Sequence, residues 1–343
     1  MIGNKRAHLS LFLSLGVSFG SPAAVILQYH HVSETLPAVT SVSSKTFRQH
    51  LDYLQSNDYH VIHLHEVLSA LQAEKPLPEK TIAITFDDGY SNNFDAAAPL
   101  LESYHFPYTI FVNPKLIDEQ KSYVMTWDQL RTLAKQGATI ASHSAQHDYL
   151  HDKLKDETDE QWRERIRADL NYAQARIKEE IGHDYPWVAF PYGEYNRALQ
   201  ELLIEMGLIG IGQQSGAINE TTEWTAVPRY PASGIYADLE TLSVKLNSSA
   251  FSLSKVSYED TVTRTKTPQL TLTFKEKTFH QSQFACYVTG QDQAEVTWTS
   301  ADTVQIQAKS PLKIGRSRYN CTAPVKGNSQ RYHWYSQQWL IIE

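Results

Sequence analysis

Cysteine is nearly absent from this 343-residue chain: Cys286 and Cys321 are the only two, both within about the last sixty residues. In an exported protein such a pair inside one region suggests a disulfide, with two free buried thiols as the alternative. Positive charge is also in deficit. A formal net charge of −7 argues against a general nucleic-acid binder, whose surface is normally basic. No segment after the first 25 residues is apolar for long enough to span a bilayer. Low-complexity tracts and repeats of solenoid period are missing as well.

The opening stretch, MIGNKRAHLSLFLSLGVSFGSPAAV, has the order of a secretory signal. Lys5 and Arg6 supply the positive start, Leu9 to Phe19 a short apolar run, and Ser21, Pro22, Ala23 and Ala24 small residues for cleavage. A buried N-terminal helix is the alternative. With residues 1–24 as signal peptide, the chain is expected to be exported, to the periplasm or beyond. The lack of a cysteine after the apolar run argues against a lipid anchor.

Hydrophobic residues at 41% and charged residues at 20% are ordinary for a globular protein, and the length suggests two domains. From 25 to 245 short apolar runs alternate with amphipathic stretches. Strands are expected in AVILQYH, HVIHL, TIAITF, PYTIFVN, ATIASH, WVAFPYG, LIGIG and TAVPRY. Helical spacing joins Phe47, Leu51 and Leu54, and also Trp162, Ile166, Leu170, Ala173 and Ile177. The tetrapeptide TWDQ, with Thr126 and Gln129, has the form of a capping box. Near-continuous apolar strands separated by helices imply a parallel sheet covered on its faces. Seven or eight such units in about 220 residues point to a distorted barrel related to the (β/α)8 form. From 248 to 343 the texture changes to short alternating segments rich in Thr, Val and aromatics, the pattern of a small all-β sandwich.

Functional residues of such barrels gather where strands end, and several strand ends here are polar. ILQYHH ends in Tyr29, His30 and His31, and TIAITFDDGY in Asp87 and Asp88. ATIASHSAQH carries His143 and His147, and WVAFPYG ends in Pro191, Tyr192 and Gly193. Adjacent aspartates repel, so one of such a pair titrates abnormally or binds a cation. His143 and His147 are four apart, which places both rings on one face if the segment turns helically. Two histidines and a carboxylate form a common divalent-metal set with open positions. Zinc suits it, and cobalt, nickel and iron are also accepted. His151 continues the spacing but lies in a polar segment.

The chain resembles the polysaccharide deacetylases, carbohydrate esterase family four. TFDDGY and SHSAQH look like that family's first two signature motifs, and WVAFPYGEYN resembles its third. The resemblance covers roughly residues 25–240. It implies a distorted β/α barrel that binds a divalent metal through Asp88, His143 and His147, with Asp87 as general base. The arginine that usually opens the third motif is replaced by Ala189, and Arg229 in AVPRYP is the candidate substitute. Many members also carry a late histidine, whereas this chain has none between His183 and His280. LQYHH instead resembles the branch of biofilm poly-N-acetylglucosamine deacetylases, which implies His30 as the acid. His31 should point to the opposite side if the strand continues regularly.

The resemblance implies metal-dependent removal of N-acetyl groups from an N-acetylglucosamine-containing poly- or oligosaccharide. Asp87 would take a proton from water, the Tyr192 N–H would hold the oxyanion, and His30 would protonate the departing amine. An O-acetyl esterase acting on xylan or another acetylated glycan is an alternative with the same site. A glycan-binding protein with a decayed barrel is the non-enzymatic one. The aromatics Trp298, Trp334, Tyr335 and Trp339 in the last region suit either glycan contact or core packing.

Overall fold

A computed structural model describes residues 23–343. The signal segment read from the sequence lies almost wholly outside these described residues. The first strand is Ala24–Tyr29.

All the strands expected between 25 and 245 form, and they assemble into one parallel sheet. In space they run Tyr230–Pro231, Ala24–Tyr29, Thr81–Phe86, Tyr108–Val112, Thr139–Ser142, Trp187–Ala189 and Ile209–Ile211, with His60–Val61 added beside Thr81–Ile82. The sheet curls until its ends approach. Ile211 bridges Val227 in parallel, and three residues later Tyr230 pairs with Leu27 of the first strand. The result is a distorted β/α barrel rather than an open sheet.

Strand parity sorts the residues. Ile82, Ile84 and Phe86 face outward and join a core with Phe47, Leu51, Leu54 and Leu101 of the surrounding helices. Ala83 faces inward with Ala24, Ile26, Phe111, Ala141 and Ala189, in an interior kept narrow by small side chains. The same inward parity continues through Gln28, Thr85, Asp87, Asn113 and His143, all buried. Alternation with period two therefore carries polar residues into the barrel mouth where each strand stops.

The helices form as their patterns indicate. Asp159–Ile181 is capped by Thr158, which accepts the Gln161 N–H, and stops at Gly182 with φ 90°. Its Trp162, Ile166, Leu170, Ala173 and Ile177 stripe is buried. The Thr126–Gln129 capping box is present at the helix Trp127–Lys135.

Beyond residue 250 the chain builds two four-stranded sheets. Their pairings are antiparallel, except that Val262–Thr263 runs parallel to Leu340–Ile341. They enclose a core drawn from residues 251–341, which takes in Trp339 and packs against Trp298 and Tyr335. Cys286 and Cys321 stand directly opposite each other on neighbouring strands and are joined by a disulfide. This unit docks on the barrel: Trp334 packs edge-on against Tyr230, and Asn219 donates to the Phe251 carbonyl.

Candidate active site

At the end of Thr81–Phe86 the chain enters left-handed conformation at Asp88 and Gly89, with φ of 69° and 60°. The turn is tight. A side chain at Gly89 would bring its Cβ to 2.9 Å from Val112 Cγ1, so glycine is required there. This turn sends the adjacent aspartates to different partners. Asp87 continues inward along the strand, while Asp88 faces the histidines.

Asp87 is fully buried and fully paired. Arg229 Nη1 and Nη2 donate to its two oxygens at 2.7 and 2.8 Å, and Gln28 Nε2 donates at 2.6 Å. Arg229 is itself fully buried; its Nε donates to the Gly212 carbonyl, and its guanidinium lies 5.4 Å from the Phe111 ring centre. Burial pushes the Asp87 carboxyl upward, but Arg229, with help from His143 and His30, holds it down to about 2.

Asp88 Oδ1 lies 3.1 Å from His143 Nε2 and 3.0 Å from His147 Nε2. The three side chains offer ligand atoms within 4.8 Å of one another. His143 Nδ1 is 2.8 Å from the Ala189 carbonyl, which fixes Nδ1 as the donor and leaves Nε2 a lone pair. That lone pair and Asp88 Oδ1 are both buried without a hydrogen-bond partner. Two acceptors facing each other at this distance repel unless a cation lies between them, so the donor set fits a divalent metal.

The histidine segment does not turn helically, so the condition under which the four-residue spacing would put both rings on one helix face is not met. Ser144 and His147 take φ of 66°, and the backbone loops so that both rings converge on Asp88 from a turn. Supports from other elements hold this loop. Asn113 donates to the His143 and Ser144 carbonyls, Asp169 accepts the Ala145 N–H at 3.0 Å, and Ser144 Oγ accepts the His147 N–H at 3.1 Å. His151 lies 3.1 Å from Asp152 and 3.9 Å from Glu194, apart from the three-residue cluster.

His30 sits where the charges of Asp87, Asp88, Arg229 and His143 all act on it. Burial lowers its pKa most, and the two carboxylates pull it back only in part. His31 turns away, stacking on Tyr90 at 3.8 Å and bonding to Asn92 Oδ1 at 3.0 Å. Tyr192 stands in left-handed conformation with φ 60°, its ring against His147 at 4.6 Å and stacked on Tyr149 at 4.0 Å.

The sequence reading missed Gln28, Asn113, Asp169 and Arg316. Gln28 and Asn113 left a trace, as lone amides in or just after apolar strands; Asp169 and Arg316 left none, being one charge among many on a helix and on a strand. A cavity of about 620 Å³ between the barrel and the C-terminal sheets is lined by residues such as Gln200, Thr225 and Tyr258. Asp88, His143 and His147 are not among its lining residues.

Residues 74–211 match the family model described as Polysaccharide deacetylase. The poly-beta-1,6-N-acetyl-D-glucosamine N-deacetylase of Escherichia coli (strain K12) is 25% identical over 245 residues, covering 60% of this chain and 36% of the relative. A Bacillus subtilis (strain 168) relative is 34% identical over 119 residues, 35% of this chain and 41% of its own length. The chain thus spans about two-fifths or less of the length of these two curated relatives. The Streptococcus pyogenes deacetylase PplD, solved in complex with acetate, superposes with a TM-score of 0.60 at 18% identity, covering 66% of this chain and 99% of that one. That likeness is one of fold.

Proposed function

Because the chain carries a polysaccharide deacetylase domain over residues 74–211, we propose that it is a metal-dependent N-deacetylase. Its substrate would be an N-acetylglucosamine-containing polysaccharide or oligosaccharide, from which it releases acetate. The supporting observation is the division of labour between the adjacent aspartates: Asp88 converges with His143 and His147, while Arg229 clamps Asp87 beside them. The poly-N-acetylglucosamine specificity named for the E. coli relative is the polymer class this reading adopts.

Asp88, His143 and His147 would hold the cation, zinc being well suited to the donors. Bound there, it supplies Lewis acidity, which lowers the pKa of an attacking water and polarises the acetamide carbonyl. Asp87 takes that water's proton. A carboxyl held at about 2 stays ionised at every working pH, so it is always competent to accept. Its weak basicity is offset by the acidity of the water. Arg229 and Gln28 fix its orientation. The Tyr192 N–H donates to the developing oxyanion; burial favours the neutral form of His30, and it is the minor imidazolium form, supported by Asp87 and Asp88, that donates to the departing amine. The amine leaves neutral together with acetic acid, which ionises to acetate in solvent, and the proton taken by Asp87 returns to His30 to reset the site.

No helix among the described residues is long and apolar enough to cross a membrane. With the signal-like start, this reading places the enzyme outside the cytoplasm, acting on exported glycan. Acetate release should be assayed on N-acetylglucosamine oligomers beside acetylxylan, with and without chelator. Chelator-sensitive release from the N-acetyl substrate is the expected result. Release only from acetylxylan, or release indifferent to metal removal, overturns the proposal.

A further inference from the structure

The turn Pro191–Gly193 carries the proposed oxyanion donor, and its backbone is constrained. Tyr192 and Gly193 are both left-handed, with φ of 60° and 71°. A Cβ on Gly193 would fall 2.6 Å from Gln213 Cβ, so no side chain fits there. A tyrosine keeps a left-handed conformation only where its surroundings over-determine it. Among the described residues, the N–H groups of Gly193 and Glu194 bond back to the Phe190 and Pro191 carbonyls, whereas that of Tyr192 is paired with no backbone carbonyl. The Tyr192 ring lies 4.6 Å from His147 and 4.0 Å from Tyr149, which sets the turn beside the candidate metal site.

Much of that over-determination comes from the C-terminal sheets. Gln338, on the strand Asn328–Ile341, donates its Nε2 hydrogen to the Gly193 carbonyl at 2.6 Å. Arg316, on the neighbouring strand Gly315–Val325, donates from Nε to Glu194 Oε1 at 2.5 Å, and its guanidinium lies 5.7 Å from the Tyr192 ring centre. Glu194 is buried, with His151 Nε2 3.9 Å from its other oxygen. The Thr261 hydroxyl donates to the Tyr195 carbonyl. Asp260 accepts the Arg197 N–H at 3.1 Å, and the Arg197 guanidinium donates to the Tyr258 carbonyl at 2.7 Å. In the run 193–197 the Asn196 side chain instead caps its own helix, Arg197–Met206. The chain leaving the turn is therefore stitched to the second unit almost residue by residue. Asp260, Thr261, Arg316 and Gln338 all lie beyond residue 211, where the matched deacetylase segment ends.

We propose that the C-terminal sheets take part in catalysis by holding this turn, with Gln338 and Arg316 as positioning residues for the Tyr192 oxyanion donor. The role rests on the deacetylase reading. The oxyanion forms only as the water oxygen bonds to the carbonyl carbon and the carbonyl pair moves onto its oxygen. A donor fixed in advance therefore lowers the barrier without tightening the substrate complex. Loosening the turn displaces that donor, and the loss falls on kcat.

Steady-state acetate release from N-acetylglucosamine oligomers by the full chain tests this, with metal content and thermal melting measured on each variant. Gln338→Met keeps the side-chain length and removes the donor, and Arg316→Met removes the partner of Glu194. Each should lower kcat about ten- to hundredfold, with KM, bound metal and melting close to wild type. Arg316→Lys, which keeps the charge, should recover part of the loss. Affinity for a tetrahedral methylphosphonamidate of the oligomer, which presents an oxyanion to the same donor, should fall by the same factor as kcat/KM. Wild-type kcat in both Met variants overturns the positioning role. So does a loss confined to KM, or one that follows metal content or melting. Absence of acetate release from the wild-type chain overturns the deacetylase reading, whereas release that both Met variants retain in full overturns only this inference.

Discussion

Arg229 and Asp87, 142 positions apart in the chain, meet inside the barrel as a two-point ion pair with both side chains fully removed from solvent. Arg229→Met leaves the carboxylate buried and uncompensated and should destabilise the fold by about 3–5 kcal/mol. Arg229→Lys keeps the charge but loses the fork. Asp87 then drifts up from about 2. Since proton transfer needs the ionised carboxylate, the acidic limb of kcat/KM moves to higher pH. Thermal melts and pH–rate profiles of the two variants check this; an unmoved acidic limb in Arg229→Lys removes Asp87 as the base.

The adjacent aspartates should separate cleanly by metal content. His147→Ala removes one of three convergent donors and should lose most bound metal together with acetate release. Asp87→Asn should keep its metal and lose turnover by about 10²–10⁴-fold. Elemental analysis of each purified variant decides; an empty site in Asp87→Asn shows that the two roles are reversed.

The histidines at the end of the first strand make a second pair. His30 faces the catalytic charges, whereas His31 stacks on Tyr90. His30→Ala should depress release from N-acetyl sugars by about 10²–10⁴-fold. It should largely spare an activated aryl acetate, whose leaving group needs no proton. If His31→Ala shows that selective loss while His30→Ala stays active, the acid is His31.

Asp169 gives a stability signature. Burial raises its carboxyl from 3.8 to about 6, against the Ala145 N–H that pulls it down. The native state therefore binds more protons than the unfolded chain between about pH 4 and 6. Stability declines as pH rises through that window and stays lower above it, by roughly 3 kcal/mol at most. Asp169→Asn retains an acceptor for Ala145 and should flatten the decline, as read from denaturation midpoints at pH 4.5 and 7.5. A wild-type-like slope in that variant refutes the assignment.

The Cys286–Cys321 bond closes a loop of 35 residues, worth roughly 3–4 kcal/mol in the chain-entropy account. Reduction should lower the melting of the C-terminal sheets while the barrel transition stays in place. Two thiols that alkylate in natively exported protein would show that the bond does not form.

The strands and the residues they carry to the barrel mouth were legible in the sequence because they depend on local alternation. Parity along ILQYHH, TIAITFDD and ATIASH places His30, Asp87 and His143 on the inner face, and six residues suffice to read it. Spacing was a weaker guide: His143 and His147 looked like neighbours on a helix, yet left-handed turns at Ser144 and His147 bring them together. What only the tertiary structure decided is which distant groups complete each site residue. The sequence offered Arg229 as a candidate for the place of Ala189. It is curling of the sheet that brings the segment ending at Tyr230 beside the first strand and so puts the guanidinium on Asp87. Asn113 and Asp169 brace the histidine loop from a strand end and a helix, and Arg316 arrives from a separate sheet. Such pairings depend on how layers close on one another across a hundred or more residues, and no local periodicity encodes them.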